Sequence, residues 1–217
     1  MKKTAALLCV SILIFISAGS ISQNKEIIID DFKKGLKPAW QEKSIKGKTL
    51  YSPVTDCGVQ CLKAESNITA SALYYEIKYD LEEYPFLEWS WKVENVLTGG
   101  NGTRKGGCDF PARIYVVFPS VFMWKTKALS YFWASSIPEG KIITHPYSKN
   151  TRMIAVESGN KKAGKWITEK RNTLEDYKNA FGEDPPAAGA VAIITDTDNT
   201  KESVTAWYGP IKIMKAD

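Results

Sequence analysis

The chain has 217 residues, of which 29 are Lys or Arg, 24 are Asp or Glu and one is His, so its formal net charge is +5. This charge is modest, and no run of Lys and Arg is interleaved with aromatic residues, so we predict no nucleic-acid partner. The single histidine, His145, excludes zinc sites built from several histidines. Any Ser-His-Asp site would also have to use that residue.

The N-terminus has the three-part pattern of a secretory signal peptide. Lys2 and Lys3 precede an apolar run over residues 5–16, and small residues follow it up to Ser22. The run is too short to cross a bilayer, which takes about 20 residues. We therefore expect cleavage near Ser22, export to the periplasm or the medium, and no membrane span in the remaining chain. Cleavage removes both lysines and no acid, which leaves residues 23–217 with a net charge of +3.

Strand patterns dominate residues 23–217. Alternating apolar and polar residues, and short apolar runs, are typical of half-buried and buried strands. Such patterns occupy residues 27–32, 73–79, 86–96, 113–118, 129–134, 153–157, 191–195 and 203–214. One helix is predicted at 173–181, between the capping residue Thr173 and Gly182, and the glycine-rich residues 98–107 predict a mobile loop. Without a long linker, this pattern predicts a single all-β domain, mainly antiparallel: a two-layer sandwich of the jelly-roll type.

Aromatic residues supply one functional signal. Trp89 and Trp91 share a strand face with Leu87, so we interpret them as core residues. Arg113 and Tyr115 lie on the opposite strand face from apolar neighbours, which favours an open or half-buried polar face. Tryptophan, tyrosine and charged side chains on a shallow sheet face suit a saccharide, whose rings have apolar faces and hydroxyl rims.

Residues 195–200 form the densest cluster of oxygen ligands. Asp196 and Asp198 alternate with Thr197, an arrangement that can place both carboxylates on one side and bind a hard cation such as calcium. The segment lacks the glycine and the distal glutamate of an EF-hand. We favour a simple turn between two strands, because Asp and Asn bond their own backbone in turns.

The cysteines allow two interpretations. A tight hairpin between Cys57 and Cys61 can bring their thiols within disulfide range in an exported protein, and two unpaired thiols fit the sequence equally well. Cys108 is then left over. A nucleophilic couple of Cys108 with His145 is disfavoured, because an isolated thiol and an isolated histidine are common, and we expect His145 in a surface turn. Glu157-Ser158-Gly159 does not complete a nucleophile elbow, since Ala155 replaces the required glycine.

Several motifs occur in the order found in one bacterial family. They are Asp30-Asp31-Phe32, Tyr84-Pro85, Trp89-Ser90-Trp91-Lys92, residues 109–118, Glu157-Ser158-Gly159, Trp166, Arg171-Asn172, Asp176-Tyr177, Phe181-Gly182-Glu183, residues 195–200 and Tyr208-Gly209. In these motifs the chain resembles the family called domain of unknown function 3047. The resemblance implies export and a sandwich fold, but no activity. Cys108 and Pro210 stand at positions where the family leads us to expect acids.

Three functions are compatible with these residues. The first is a non-catalytic module that binds a carbohydrate or another cell-envelope ligand, without a cofactor other than calcium. Its candidate ligand-binding residues are Asp109, Arg113, Tyr115, Glu157, Arg171, Asp196 and Asp198. The second is a glycosidase-like hydrolase with Glu157 or Asp109 as the acid and Asp196 or Asp198 as its partner. The third is a structural envelope protein in which Arg113, Arg171 and the aspartates form mutual salt bridges.

Overall fold

The computed structural model describes residues 25–216, so the predicted signal peptide lies outside the described residues. Thirteen strands and one α-helix form this part of the chain. The strands are β1 (Glu26–Asp30), β2 (Trp40–Lys46), β3 (Leu50–Asp56), β4 (Val59–Asn67), β5 (Ala70–Tyr79), β6 (Phe86–Val93), β7 (Arg113–Phe118), β8 (Lys127–Ala134), β9 (Ile142–His145), β10 (Ser148–Ser158), β11 (Ile167–Asn172), β12 (Ala188–Asp196) and β13 (Ser203–Met214). The helix is α1 (Thr173–Phe181). Within residues 25–216, no helix is long and apolar enough to cross a membrane.

The strands form two sheets that pack face to face. The six-stranded sheet has the order β11-β6-β13-β4-β3, with β1 paired to β13. The seven-stranded sheet has the order β2-β5-β12-β7-β8-β10-β9. Within both sheets the pairs are antiparallel except β8 and β10, which run parallel. The predicted all-β sandwich with one helix is confirmed.

The main core lies between the two sheets and is rich in aromatic rings. Trp89 packs edge-on against Trp91 and also against Tyr131 of β8, with ring centroids 5.3 Å apart in both pairs. Both tryptophans are buried, as the alternation of β6 predicts. Such edge and tilted contacts add to the stabilisation that burial of the rings provides.

A second, smaller core covers part of the outer face of the seven-stranded sheet. Phe110 and Phe132 pack edge-to-face there with centroids 4.5 Å apart, beside Met153. Residues 98–107, predicted as a mobile loop, pack over this core. A Cβ at Gly102 would lie 2.9 Å from Phe110, so only glycine fits. Glu202 accepts hydrogen bonds from two loop amides at 2.9 Å each. The outer face is therefore covered over β8 and β10 and open over β2, β5, β12 and β7.

The helix is tied to both sheets. Asn172, rather than the predicted Thr173, caps α1 by accepting a hydrogen bond from Glu175 N at 3.1 Å. Asp176 accepts two hydrogen bonds from Arg171, at 2.9 and 2.6 Å, and one from Tyr131 Oη at 3.0 Å. These bonds join α1 to the six-stranded sheet through β11 and to the seven-stranded sheet through β8.

Of the two interpretations of Cys57 and Cys61, the structure has the unpaired thiols and not the disulfide. Cys57 occupies the exposed tip of the β3–β4 hairpin, whereas Cys61 is buried, and both are free thiols. The hairpin register pairs Cys61 with Val54, and the Cys61 thiol donates to the Val54 carbonyl oxygen at 3.6 Å. Leu62, the next residue on β4, belongs to the core between the sheets, so the strand alternation places Cys61 on the outer face of the six-stranded sheet, where neighbouring side chains bury it.

Candidate functional site

A groove crosses the open half of the outer face of the seven-stranded sheet. This sheet groove has a volume of about 790 Å³ and lies over β2, β5, β12 and β7. Its floor consists of small residues at outward positions: Ala72 on β5 and Gly189, Ala190 and Ala192 on β12. Because small side chains stand so little above the backbone, the sheet itself forms the bottom of the groove. Gly189 is required there, since a Cβ would lie 2.6 Å from Pro119.

Aromatic and charged side chains form the walls of the sheet groove. Tyr74 and Tyr115 are its two aromatic residues, and Lys43, Glu76 and Lys78 are its charged ones. The Tyr74 hydroxyl donates a hydrogen bond to Gln41 Oε1 at 2.8 Å, which holds the ring in place. The groove thus combines an apolar floor, two rings and a polar rim, the usual composition of a small-molecule site.

A second cavity, the end pocket, lies at the border between the open and covered halves of this face. Its volume is about 360 Å³, and its polar lining includes Arg113, Tyr115, His145, Asp196 and Asp198. Tyr115 and Ile194 line both cavities, so the end pocket adjoins the sheet groove. Four of the seven predicted binding residues (Arg113, Tyr115, Asp196 and Asp198) therefore come together here.

Arg113 and Asp196 form a buried ion pair beneath the end pocket. Their side chains are only 3% and 5% exposed, and an Arg113 guanidinium nitrogen donates to Asp196 Oδ2. Asp196 Oδ1 accepts a second bond, from Phe110 N at 3.1 Å. Burial raises the pKa of Asp196 to about 7, while the adjacent guanidinium acts in the opposite direction. The Arg113 Nε–H is buried and has no hydrogen-bond partner among residues 25–216.

Asp109 does not line the end pocket but anchors the turn beside it. Its carboxylate accepts four hydrogen bonds, from the backbone N and Nδ2 of Asn199 and from the backbone N and Oγ1 of Thr200, at 2.6 to 2.9 Å. This network fixes residues 199–200 against the start of β7. The favoured interpretation of residues 195–200 agrees with this arrangement, since a turn joins β12 to β13.

Carboxylate oxygens of Asp109, Asp196 and Asp198 lie within 4.8 Å of one another, which is close enough to hold a cation. Calcium, however, needs six to eight oxygen ligands. Asp109 and Asp196 already accept bonds on both oxygens, and the Arg113 guanidinium supplies a positive charge beside them. Asp198 retains the most acceptor capacity, since it accepts a single bond, from Asn199 Nδ2 at 3.2 Å. These contacts do not fit a resident calcium ion, and the calcium site stays an untested prediction.

Cys108 and His145 meet in the end pocket, although we expected His145 in a surface turn. The Cys108 Sγ lies 3.7 Å from His145 Nε2. Burial lowers the pKa of His145 to about 4 and raises the pKa of Cys108 to about 11. His145 Nδ1 accepts a bond from Tyr147 N at 3.1 Å, so Nε2 carries the proton of the neutral ring. A protonated thiol facing a protonated nitrogen is not an activated nucleophile.

Glu157 and Arg171, the last two predicted binding residues, line neither cavity. Arg171 pairs with Asp176 as described above. Glu157 is buried at the edge between the sheets and forms an ion pair with Lys162 at 2.6 Å. Glu169 on β11 contacts Glu157, and burial, together with the charge of Glu157, raises the pKa of Glu169 to about 7. We call Glu157, Lys162 and Glu169 the edge cluster.

The sequence analysis missed the floor of the groove and Tyr74. The signal was present, since β5 and β12 place Ala72, Ala190 and Ala192 at alternate positions opposite core residues. The residues predicted from the sequence are charged or aromatic, whereas the open space comes from small residues.

The fold and the two adjoining cavities define a β-sandwich domain with an open sheet face. The family model described as protein of unknown function DUF3047 matches residues 38–212, and this chain belongs to that family. This result confirms the resemblance found in the sequence. A search of curated proteins returned no match.

Three solved structures are similar to this chain, one of them with a TM-score that reaches 0.50. The family 30 carbohydrate-binding module of the cellulosomal cellulase Cel9D-Cel44B of Clostridium thermocellum is similar with a TM-score of 0.50 and 12% identity, over 88% of this chain and 98% of that one. Metal-free lectin I-B4 from Griffonia simplicifolia has a TM-score of 0.47 and 11% identity, over 88% of this chain and 99% of that one. The CBM22-1 xylan-binding domain of Paenibacillus barcinonensis Xyn10C has a TM-score of 0.43 and 11% identity, over 90% of this chain and 100% of that one. At these identities the likeness concerns the fold alone.

Proposed function

We propose that this protein is a non-catalytic module that binds a carbohydrate in the sheet groove and the adjoining end pocket. The observation that carries the proposal is the small-residue floor between Tyr74 and Tyr115. A flat apolar floor accepts the apolar face of a sugar ring, and a tyrosine ring stacks against that face.

The rim of the two cavities supplies groups for the sugar hydroxyls. Lys43 and Lys78 donate hydrogen bonds, and Glu76 accepts them. In the end pocket the half-buried Asp198 and the exposed Tyr147 add an acceptor and a hydroxyl. This mixture of donors and acceptors around an apolar floor favours a saccharide over a purely apolar ligand.

The acids argue for binding rather than hydrolysis. A glycosidase needs two available carboxyl groups separated by roughly 5 to 10 Å across a cleft. The oxygens of Asp109, Asp196 and Asp198 lie closer together, and two of these residues are already bonded on both oxygens. Glu157 contacts Glu169 directly and lines neither cavity.

We place this binding outside the cytoplasm, in the periplasm or the medium. The support is the N-terminal pattern of Lys2, Lys3 and the apolar run 5–16. Cell-envelope saccharides are then the ligands within reach. Fractionation of cells that produce the full chain tests this part, and retention of an uncleaved product in the cytoplasm would contradict it.

A structural role is the second candidate. It is favoured by the Arg113–Asp196 and Arg171–Asp176 pairs, which connect strands and the helix and whose carboxylates are largely buried. Under this alternative the groove has no saccharide ligand, and the binding experiment below decides between the two.

The test is a titration with a panel of soluble glucans, xylans and envelope saccharides. We expect at least one of these saccharides to bind. Tyr74→Ala should lower its affinity about tenfold, because one ring-stacking contact is lost. Phe86→Ala is the matched control, since Phe86 is also half-buried but lies on β6, in the six-stranded sheet. An absence of binding across the panel, or equal losses in the two variants, would contradict the proposal.

A further inference from the structure

The connection between β7 and β8 exposes four consecutive apolar residues. Val121, Phe122, Met123 and Trp124 are 98%, 49%, 85% and 73% exposed. We call these four residues the apolar tip. Other large exposed apolar side chains, such as Leu50 at 62%, occur singly or at separate places in the described chain. Scattered apolar residues are ordinary on a protein surface, whereas a contiguous group marks an interaction site.

The apolar tip has a defined shape. A 3-10 turn at Met123–Lys125 closes it, with Lys125 N bonded to the Phe122 carbonyl oxygen at 2.8 Å. Asn150 Nδ2 donates to the Trp124 carbonyl oxygen at 2.6 Å and ties the tip to the start of β10. The rings of Phe122 and Trp124 pack together with centroids 5.0 Å apart. The fold therefore holds the apolar side chains outward instead of letting them collapse onto the sheet.

The surroundings of the tip are positively charged. Lys125 belongs to the 3-10 turn of the tip, and Lys149 precedes Asn150, which bonds the Trp124 carbonyl oxygen. Lys125 lies over the Phe122 ring, with Nζ 5.3 Å from the centroid. Lys127 is paired with Glu183, but neither Lys125 nor Lys149 forms an ion pair among the described residues. An apolar projection beside unpaired cations complements a surface that is anionic outside and apolar beneath.

We propose that the apolar tip inserts into the interface of a bilayer that contains anionic phospholipids. Trp124 then lies at the level of the headgroups, which tryptophan prefers, and Lys125 and Lys149 face the phosphates. A protein partner fits less well, because protein interfaces are depleted in lysine. The side chains of Val121 and Met123 also project almost fully into solvent. This proposal does not depend on carbohydrate binding.

Fluorescence quenching by brominated lipids tests insertion at this position. All seven tryptophans lie between residues 40 and 207, so residues 1–24 contribute none. We expect bromolipid vesicles rich in phosphatidylglycerol to quench the full chain, and Trp124→Phe to remove most of that quenching while vesicle binding persists. Equal quenching of the Trp124→Phe variant would overturn the proposal.

Vesicle co-sedimentation of the full chain tests the contribution of the neighbouring residues. We expect the Phe122→Ser/Met123→Ser double variant to abolish the tip's share of binding. Lys125→Gln should lower the partition coefficient about fivefold, the effect of one lysine near an anionic surface. Leu50→Ser is the control, since Leu50 is equally apolar and exposed but remote in sequence, and every variant keeps the same N-terminus. Unchanged binding of the double variant would contradict the proposal, as would a dimer in solution that only this variant dissociates.

Discussion

On the outer face of the six-stranded sheet, Lys92 lies between Trp166 and Trp207, with its Nζ 5.8 and 4.0 Å from the two ring centroids. Asp56 accepts hydrogen bonds from Lys92 Nζ at 2.5 Å and from Trp166 Nε1 at 2.8 Å. The aromatic faces there are occupied by the protein's own cation. On the outer face of the seven-stranded sheet, alanine and glycine separate Tyr74 from Tyr115, and the space between them is empty enough to form a groove.

The difference shows that aromatic content alone does not identify a binding face. On the face with two tryptophans, Lys92 and Asp56 already contact the aromatic rings. On the face with two tyrosines, no side chain of residues 25–216 fills the space between the rings. A ligand face needs small residues between its rings as well as the rings themselves. The two faces also differ in their ion pairs, which are Lys92–Asp56 on the six-stranded sheet and the more deeply buried Arg113–Asp196 on the seven-stranded sheet.

The largest expected effect concerns stability beneath the end pocket. Arg113→Met leaves the Asp196 carboxylate buried without its cation, and we expect a loss of about 3 to 5 kcal/mol in the free energy of unfolding. Lys92→Met on the opposite face should cost less, because Asp56 remains partly exposed to water. Denaturant unfolding of both variants measures the contrast, and equal losses would break it. Binding assays with Arg113→Ala therefore require a folding control.

The next effect concerns binding at the groove floor. Ala192→Phe places a ring where we propose the ligand lies, and we expect it to weaken saccharide binding more than about tenfold, since it removes the contact surface. The ring extends from a position that lines the groove, so its effect on stability should stay below that of Arg113→Met. Thr205→Phe introduces the same ring on β13 of the other sheet and should leave affinity unchanged. Titration calorimetry with both variants provides the test, and unimpaired binding by Ala192→Phe would exclude this groove.

The smallest effect concerns the edge cluster, which belongs to neither outer face. The pKa of Glu169 is raised by burial, and then by Glu157, from an ordinary 4.5 to about 7. Between these pH values the folded chain keeps a proton that the unfolded chain has lost, so this group's contribution to stability falls as pH rises through that window. Above about pH 7 Glu169 is ionised in both states, and the full cost of its buried charge lowers the stability of the folded chain.

Glu169→Gln removes this titration. Because Glu169 is partly open to solvent, we expect the variant to gain only about 1 kcal/mol over the wild type near pH 8, and little near pH 5. Thermal unfolding of both proteins across this pH range measures the difference in stability. Saccharide affinity serves as the internal reference, because the edge cluster lines neither cavity. A pH-independent difference between the two proteins would contradict this account of the edge cluster.

The sequence predicted the central strands of the two sheets better than their edge strands. Strand β7 and helix α1 have the predicted bounds, because alternation and capping residues are local signals. Five strands had no predicted bounds, and four of them (β2, β3, β9 and β11) lie at sheet edges. Edge strands bury few side chains, as in β2, where only Trp40 is buried, so the apolar alternation on which the prediction depends is absent.

The site was predicted in part, for a similar reason. Arg113, Tyr115, Asp196 and Asp198 were chosen for their chemistry, and they share one cavity. Glu157 and Arg171 were chosen on the same grounds but belong to the sheet edge and the helix contact. Which residues meet depends on contacts between distant segments, such as Cys108 with His145, and local sequence patterns contain no information about them.

Amide chemical-shift mapping with the saccharide that binds best tests the central claim most directly. The account predicts that the largest shifts fall on Tyr74, Tyr115, Ala190 and Ala192, on the outer face of the seven-stranded sheet. Shifts concentrated around Lys92, Trp166 and Trp207 would place the ligand on the opposite face and contradict it.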